Sequence, residues 1–229
     1  IFADTQDEET SVYKWLDYLE EQLPFPVIRV TAGKLSEAAT RVRTSKTGTK
    51  YLKPSLPVFI NGEISVGKGQ RHCTYDYKIA VLTKKLKELA QGRNVIQYIG
   101  ISTDEASRMK PHKLSWVENQ YPLCMDARMD RNDCLKWMVM IKFPGPPRSA
   151  CVYCPFHSDA EWQRLKTEAP NEFHWAARFE KELQAAYEGS AFRGVPYLHK
   201  SCVPISEAKF SDERQFDMFT NECEGLCGV

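Results

Sequence analysis

Cys151-Val152-Tyr153-Cys154, followed at once by Pro155-Phe156-His157, is the tightest local constraint in this chain of 229 residues. Two sulfurs two residues apart demand a tight turn, and the proline behind them helps to hold it. Such a turn can chelate one soft metal centre, act as a redox dithiol, or leave two free thiols at a surface. Spacing alone does not choose between zinc, iron–sulfur and redox chemistry. Candidate further ligands are Cys73, Cys124 and Cys134 upstream and Cys202, Cys223 and Cys227 downstream.

A formal charge of +1 carries no global signature of polyanion binding. Nucleic acid is therefore not indicated by net charge. There is no run of about 18 apolar residues, so no membrane span is expected. No basic-then-apolar leader is visible. Eight cysteines are too few for a disulfide scaffold of this length, and they read as thiols or metal ligands of a cytoplasmic protein. The chain opens on Ile1 in what already reads as a buried strand, which suggests that something upstream has been trimmed or left out.

Ile1 to Thr5 is a short apolar run ending in polar residues, as a parallel strand does at its carboxyl end. Val12, Trp15, Leu16, Leu19 and Leu23 predict an amphipathic helix over 9–23, stopped by Pro24 and Pro26. A second strand follows at 27–31, and this β-α-β alternation points to a parallel sheet. The stretch 34–53 is basic and polar, with Arg41, Arg43, Lys46 and Lys50. It reads as an exposed loop or lid, either plain solvated surface or the one local patch suited to phosphates. Val58 to Ser65 reads as a hairpin turning at Asn61-Gly62. Gly67-Lys68-Gly69 after it is a flexible hinge or a phosphate cradle.

Further helices are predicted from Ile79 to Leu89, ended by Gly92, and from Asp130 through Ile141. Another begins at the Ser158-Asp159-Ala160-Glu161 capping box and breaks near Pro170, and a last one carries Ala176, Phe179, Leu183 and Ala186. A third strand spans 95–101. Trp15, Trp116, Trp137, Trp162 and Trp175 read as core aromatics. Residues 1–110 form the expected α/β portion and residues 111–229 a helical, cysteine-bearing portion.

Three segments, in order, resemble the sulfonucleotide reductases. These are the adenylyl-sulfate and phosphoadenylyl-sulfate reductases of the PP-loop (adenine nucleotide α-hydrolase-like) superfamily, here of bacterial or phage type. Ile1-Phe2-Ala3-Asp4-Thr5 resembles that fold's second strand, which ends in Asp-Thr beside the nucleotide. Gly100 to Arg108 is similar to the family's Gly-x-Arg-x-x-(Glu/Gln)-Ser-x-x-Arg loop, without its first arginine. Tyr121-Pro122-Leu123, Asp133 to Trp137, the proline cluster and Ser149 to Cys154 resemble its third series in order and spacing. The family's Ser-Gly-Gly-x-Asp-Ser phosphate loop is not in the chain, and its usual Cys-Cys pair is reduced to Cys73 alone.

The resemblance implies a Rossmann-like PP-loop fold with a parallel sheet, and an adenine nucleotide near Asp4, Thr5, Lys78, Gly100, Asp104, Glu105 and Arg108. Surface ion pairs are the alternative for Lys78 and Arg108. Cys73, Cys134, Cys151 and Cys154 would make a four-thiolate shell. The resemblance favours a [4Fe–4S] cluster, with zinc as the alternative. Cys73 and Cys134 sit near helix starts, where the dipole lowers a thiol pKa. His157 is a ligand, a donor behind the ligands, or packing.

The terminal Glu222-Cys223-Glu224-Gly225-Leu226-Cys227 is similar to the family's mobile Glu-Cys-Gly tail. Cys223 would then attack the sulfonate sulfur and displace the nucleotide, and Cys227 or an external thiol of thioredoxin type would release sulfite. The resulting expectation is an enzyme that transfers or reduces sulfur on an adenylyl nucleotide. The alternatives are an ATP-dependent sulfurtransferase acting on nucleic acid or a small acceptor, and a non-catalytic, metal-stabilised binding module.

Overall fold

A computed structural model describes residues 1–53, 55–61, 66–190 and 192–211. The fold is mixed α/β, with small parallel and antiparallel sheets among its helices. β1 (Phe2–Asp4) runs into α1 (Thr10–Gln22), which returns the chain to β2 (Arg29–Thr31). β1 and β2 pair in parallel, Phe2 opposite Arg29, as the alternation of apolar run, amphipathic helix and apolar run requires. Val12 and Leu16 are the buried stripe of α1.

The basic stretch is not the single exposed loop expected of it. Leu35, Ser36 and Ala39 bury one face of α2 (Leu35–Thr40), and β3 (Val42–Thr44) and β4 (Lys50–Leu52) close an antiparallel hairpin. Leu52, Leu56 and Val58 are buried. These apolar residues are too far apart in sequence to show a period, but each has its own place in the core.

β5 (Phe59–Asn61) and β6 (Val66–Lys68) form the expected hairpin. Asn61 pairs with Val66, so four residues separate the strands in place of the expected two-residue turn. Gly67-Lys68-Gly69 is strand and strand end, neither hinge nor cradle. The Gly69 amide donates to Val58 O at 2.8 Å, and a Cβ at Gly69 would stand 2.8 Å from Leu56 O. Only glycine allows that approach.

A π-helical turn, Thr74–Ile79, leads into α3 (Ala80–Ala90), which ends in left-handed Gln91 and Gly92. β7 (Val95–Tyr98) pairs in parallel with β8 (Val117–Gln120), and a 3₁₀ turn, Thr103–Arg108, lies between them. α4 (Pro122–Met125) and α5 (Arg131–Met140) follow. Asp130 caps α5 in a reciprocal box with Asp133. α6 (Asp159–Glu168) and α7 (Pro170–Glu188) are split at Ala169, with Pro170 as the first residue of α7. β9 (Val195–Tyr197) then adds to β5, giving the order β6-β5-β9.

The continuous parallel sheet of a Rossmann-like fold is not formed among the described residues. β1–β2 and β7–β8 are separate two-stranded sheets. A cavity of about 320 Å³ lies between Ile1, at the start of β1, and Gln97–Gly100, at the end of β7; Leu82 and Leu86 of α3 also line it. Each strand pair satisfies only the backbone groups that face its partner. Trp137 is also not a core residue. It is half exposed on α5, none of whose residues is buried, because the Leu135, Val139 and Met140 side chains also face outward.

The main core takes residues from both sides of residue 110. Leu35, Leu52 and Val58 pack in one cluster with Tyr153, Trp162, Phe179 and Leu198. Buried Glu180 pins the segment after β9: Oε1 accepts the Leu198 amide at 2.8 Å and Oε2 the Ile205 amide at 2.7 Å. Burial pushes its carboxyl pKa up against those two amides. Asp159, at the start of α6, accepts hydrogen bonds from Lys200, His199 and Ser211. Burial opposes its charge, but the Lys200, Ser211 and His199 bonds prevail and hold it well below the usual carboxylate range.

Glu180→Ala leaves two buried amides unsatisfied and should cost about 2–5 kcal/mol in urea unfolding, at about 1–3 kcal/mol per donor. A depressed carboxylate stabilises above its unfolded pKa and loses that contribution as pH falls. Stability should therefore begin to drop near the ordinary carboxylate range, at about pH 4, and go on dropping below about pH 3. Asp159→Asn should flatten that drop, as measured by denaturant midpoint against pH.

Candidate functional site

The Cys-x-x-Cys turn is built onto the carboxyl end of β1. Beyond Asp4 the chain reverses through Gln6, at φ 61°, and the Gln6 amide donates to Asp4 Oδ1 at 2.7 Å. Asp4 Oδ1 also accepts the Tyr13 hydroxyl at 2.9 Å, so this carboxylate caps its own turn.

Asp7, next along, is buried. Its Oδ2 accepts the Ser36 amide and the Tyr153 hydroxyl, each at 2.7 Å, and its Oδ1 accepts the Ser36 hydroxyl at 2.9 Å. The Asp7 carbonyl accepts the Val152 amide at 2.9 Å, and Glu8 bridges to Cys151. The turn itself closes through the Cys154 amide on Cys151 O at 2.9 Å. His157 Nε2 lies 3.0 Å from the same carbonyl, which makes it the donor behind the turn. Burial, with Arg148 nearby, lowers the His157 pKa to about 4. Its neutral ring packs edge-on against Trp162.

Three cysteines meet at one small cavity of about 30 Å³, lined by Cys73, Cys151 and Cys154 with Thr5, Lys78 and Phe156. Cys73 arrives at the start of the π-helical turn, its amide donating to Ser55 O at 2.9 Å. Thr5 Oγ1 is 3.1 Å from Cys151 Sγ. Burial pushes the Cys151 thiol well up, Glu8 adds to that, and Lys78 opposes it. The Lys78 ammonium also stands 4.0 Å from Glu8 Oε1, whose side chain has no exposed surface. Two cations sit over the Phe156 ring, Lys68 Nζ at 3.9 Å and the Arg71 guanidinium carbon at 5.0 Å from its centre.

Cys134 does not line this cavity. It lies on α5, where burial, Asp104, Asp130 and Asp133 raise its pKa. The expectation that a helix start would lower it is corrected: burial, with the three carboxylates adding to it, raises it instead. The other expected nucleotide residues also divide. Thr5 and Lys78 join the cysteines. Gly100 borders the cavity between the strand pairs. Glu105 and Arg108 form an ion pair on the 3₁₀ turn that also carries Asp104. Cys223 and Cys227 lie outside the described residues.

Among the described residues no group of three or more His, Cys, Asp or Glu side chains is arranged, as it stands, to hold a metal ion. No helix among them is long and apolar enough to cross a membrane. Asp7, Glu8, Arg71 and Phe156 carry no motif that sequence reasoning singles out. Their one visible signal is position: Phe156 follows the Cys-x-x-Cys-Pro run, Arg71 precedes Cys73 by two, and Asp7 and Glu8 follow the first strand. Comparison with family models, with curated proteins and with solved structures finds no match.

Asp7→Ala strips acceptors from a buried amide and two hydroxyls and should cost about 3–5 kcal/mol, within the range for a broken buried network. It should also raise the reactivity of Cys151 toward a thiol reagent, because the turn loses its anchor. Labelling Asp7→Ala beside wild type, with intact-mass readout, checks this.

Proposed function

We propose that this chain is a sulfur-handling enzyme, similar to the sulfonucleotide reductases, in which Cys73, Cys151 and Cys154 hold a metal centre beside an adenylyl nucleotide. One observation carries the reading. Three sulfurs from two segments far apart in sequence share a small cavity with Thr5 and Lys78, at the carboxyl end of a parallel strand. Ligands of open α/β sheets gather at that end.

The residue types suit a soft metal, and the three cysteines would have to draw together to hold it. Cys151 is buried, and a buried thiol ionises only where positive charge compensates it. Lys78 supplies part of that charge, and a bound metal would supply the rest. Cys73, Cys151 and Cys154 would be its ligands, Lys78 would balance the excess thiolate charge, and Thr5 would orient Cys151. Leu35, Leu56 and Phe156 exclude water. When bound, the centre supplies positive charge to polarise a sulfonate or to hold sulfur.

The cavity's volume favours a second reading at the same residues. A tight space of about 30 Å³ suits a single zinc ion better than a four-iron cluster. In either case the proposed ligand set leaves out Cys134, which does not line the cavity. Cys223 remains the proposed nucleophile and Cys227 its resolving thiol.

Metal analysis of anaerobically purified protein tests the centre. Iron with visible absorbance, or about one zinc per chain, is expected. Cys73→Ser, Cys151→Ser and Cys154→Ser should each lose most of it, whereas Cys134→Ser should retain it. Equal loss in Cys134→Ser, or metal-free wild type after reconstitution with either ion, would overturn the assignment. Calorimetry with ATP, AMP, adenylyl sulfate and phosphoadenylyl sulfate tests the nucleotide, and no binding to metal-replete protein counts against the enzyme.

A further inference from the structure

The near-neutral charge of the chain hides a local imbalance. From residue 38 to residue 62 there is no Asp or Glu, while Arg41, Arg43, Lys46, Lys50 and Lys53 all fall within that stretch. The structure folds these cations onto one antiparallel hairpin. Arg43 lies opposite Tyr51 and Thr44 opposite Lys50 in the register of β3 and β4. Lys46 is carried at the tip by a closed turn, in which the Ser45 amide donates to Thr49 O at 2.9 Å and the Gly48 amide to Ser45 O at 3.0 Å. The Thr49 amide donates to Ser45 Oγ at 3.0 Å.

Several cations elsewhere on the molecule are answered by carboxylates, among them Arg29 by Asp17 and Glu20, Arg164 by Glu9 and Glu161, and Lys200 by Asp159. On the hairpin only Lys53 has such a partner, Asp76 at 2.5 Å. Arg41, Arg43, Lys46 and Lys50 have no carboxylate partner among the described residues. Four like charges on a short two-stranded arm repel one another, and nothing in the fold of the arm requires them. Tyr51 stands among them, 42% exposed. Its ring shares a face of the hairpin with Arg43, since directly opposed residues project to the same side, and Lys50, opposite Thr44, projects to the other.

The arm also has a direction. Lys53, Arg43 and Arg41 lie close enough to the Tyr77 phenol to oppose the rise in its pKa that burial causes. Tyr77 belongs to the same π-helical turn as Lys78, which begins just after Cys73. The Arg41–Arg43 side of the arm therefore lies toward the turn that delivers Cys73 and Lys78 to the cysteine cavity.

We propose that the β3–β4 hairpin is a binding arm for single-stranded nucleic acid, with Arg41 and Arg43 on one face, Lys46 at the tip and Lys50 on the other face each meeting a phosphate of a strand that wraps the arm, and Tyr51 stacking on a base. Closely spaced cations around an exposed aromatic on a thin two-stranded arm match a flexible polyanion whose bases are free to stack. A lone phosphate group would need a pocket, and the arm is an open surface. A duplex would offer Tyr51 no unstacked base. This surface stands independently of the metal assignment, because none of its residues is a proposed ligand.

Fluorescence anisotropy with a labelled 15-nucleotide DNA or RNA oligomer, across a salt series, tests the arm. Four neutralised phosphates predict a log K against log salt slope of about −3, at roughly 0.7 per phosphate on a single strand. Combined Arg41→Ala, Arg43→Ala, Lys46→Ala and Lys50→Ala should flatten the slope toward zero and weaken binding by at least about tenfold at low salt. Tyr51→Ala should weaken binding by about 5- to 100-fold, with the slope unchanged, as loss of one stacked base does.

A control in which Lys14, Lys84, Lys87 and Lys113 become alanine should bind as wild type does. Circular dichroism verifies that every variant is folded. The proposal is overturned if wild type does not bind at about 50 mM salt, where a phosphate-based contact is strong, or if the control weakens binding as much as the hairpin variant. It is equally overturned if inorganic polyphosphate competes as well as the oligomer while Tyr51→Ala has no effect.

Discussion

Asp7 is the residue on which the arrangement of the site depends. Its buried carboxylate holds the Ser36 amide and hydroxyl and the Tyr153 hydroxyl, and its carbonyl holds the Val152 amide. Four partners from two distant segments thereby fix the start of α2 and the cysteine turn against the end of β1. The energetics are asymmetric. Each such bond adds on the order of 1 kcal/mol, but a buried donor left unsatisfied costs more than that. The segment after β1 cannot move without orphaning groups at two other places. The same logic recurs at Glu180, which pins Leu198 and Ile205.

Cations then define what surrounds the sulfurs. Lys78 lies beside Cys151 and Glu8, and Lys68 and Arg71 cover the Phe156 ring next to Cys154. Burial disfavours a thiolate, so thiolate character at this cavity depends on that positive charge. The π-helical turn has a clear geometric part. Its wider bonding, with the Ala80 amide reaching back to Tyr75 O, offsets the residues before α3 from the register an α-helix would give them. Cys73 and Lys78 reach the cavity from that segment, while α3 packs its own apolar stripe elsewhere.

Elements with a strong period or a definite punctuation mark are legible in the order of residues. α1 follows from Val12, Leu16 and Leu19, α5 from the Asp130–Asp133 box, and the break between α6 and α7 from Pro170. Short buried segments are not. α2, β3 and β4 together span 35–52 and read as a polar loop, because Leu35, Ala39 and Leu52 are spaced by the needs of one core and not by a single helix or strand. Trp137 misleads for the converse reason: a large aromatic signals a core only when the face it occupies has a partner, and α5 has none among the described residues. Within the site, the Cys-x-x-Cys pair and Cys73 are legible as sulfurs, whereas the exclusion of Cys134 from the cavity is not.

The sequence by itself determined what depends on neighbours along the chain. These are the tight cysteine turn, the helix caps and breaks, and the β1-α1-β2 unit. Tertiary structure alone decided which distant residues share a space. It put Thr5, Lys78 and Cys73 beside Cys151 and Cys154, placed Cys134 among carboxylates on α5, and kept β1–β2 apart from β7–β8. It also closed a locally basic stretch into one antiparallel hairpin. Local pattern is set by bonds and sterics over a few residues. Convergence is set by the core as a whole, where burial and hydrogen-bond satisfaction choose among partners that no spacing in the chain distinguishes.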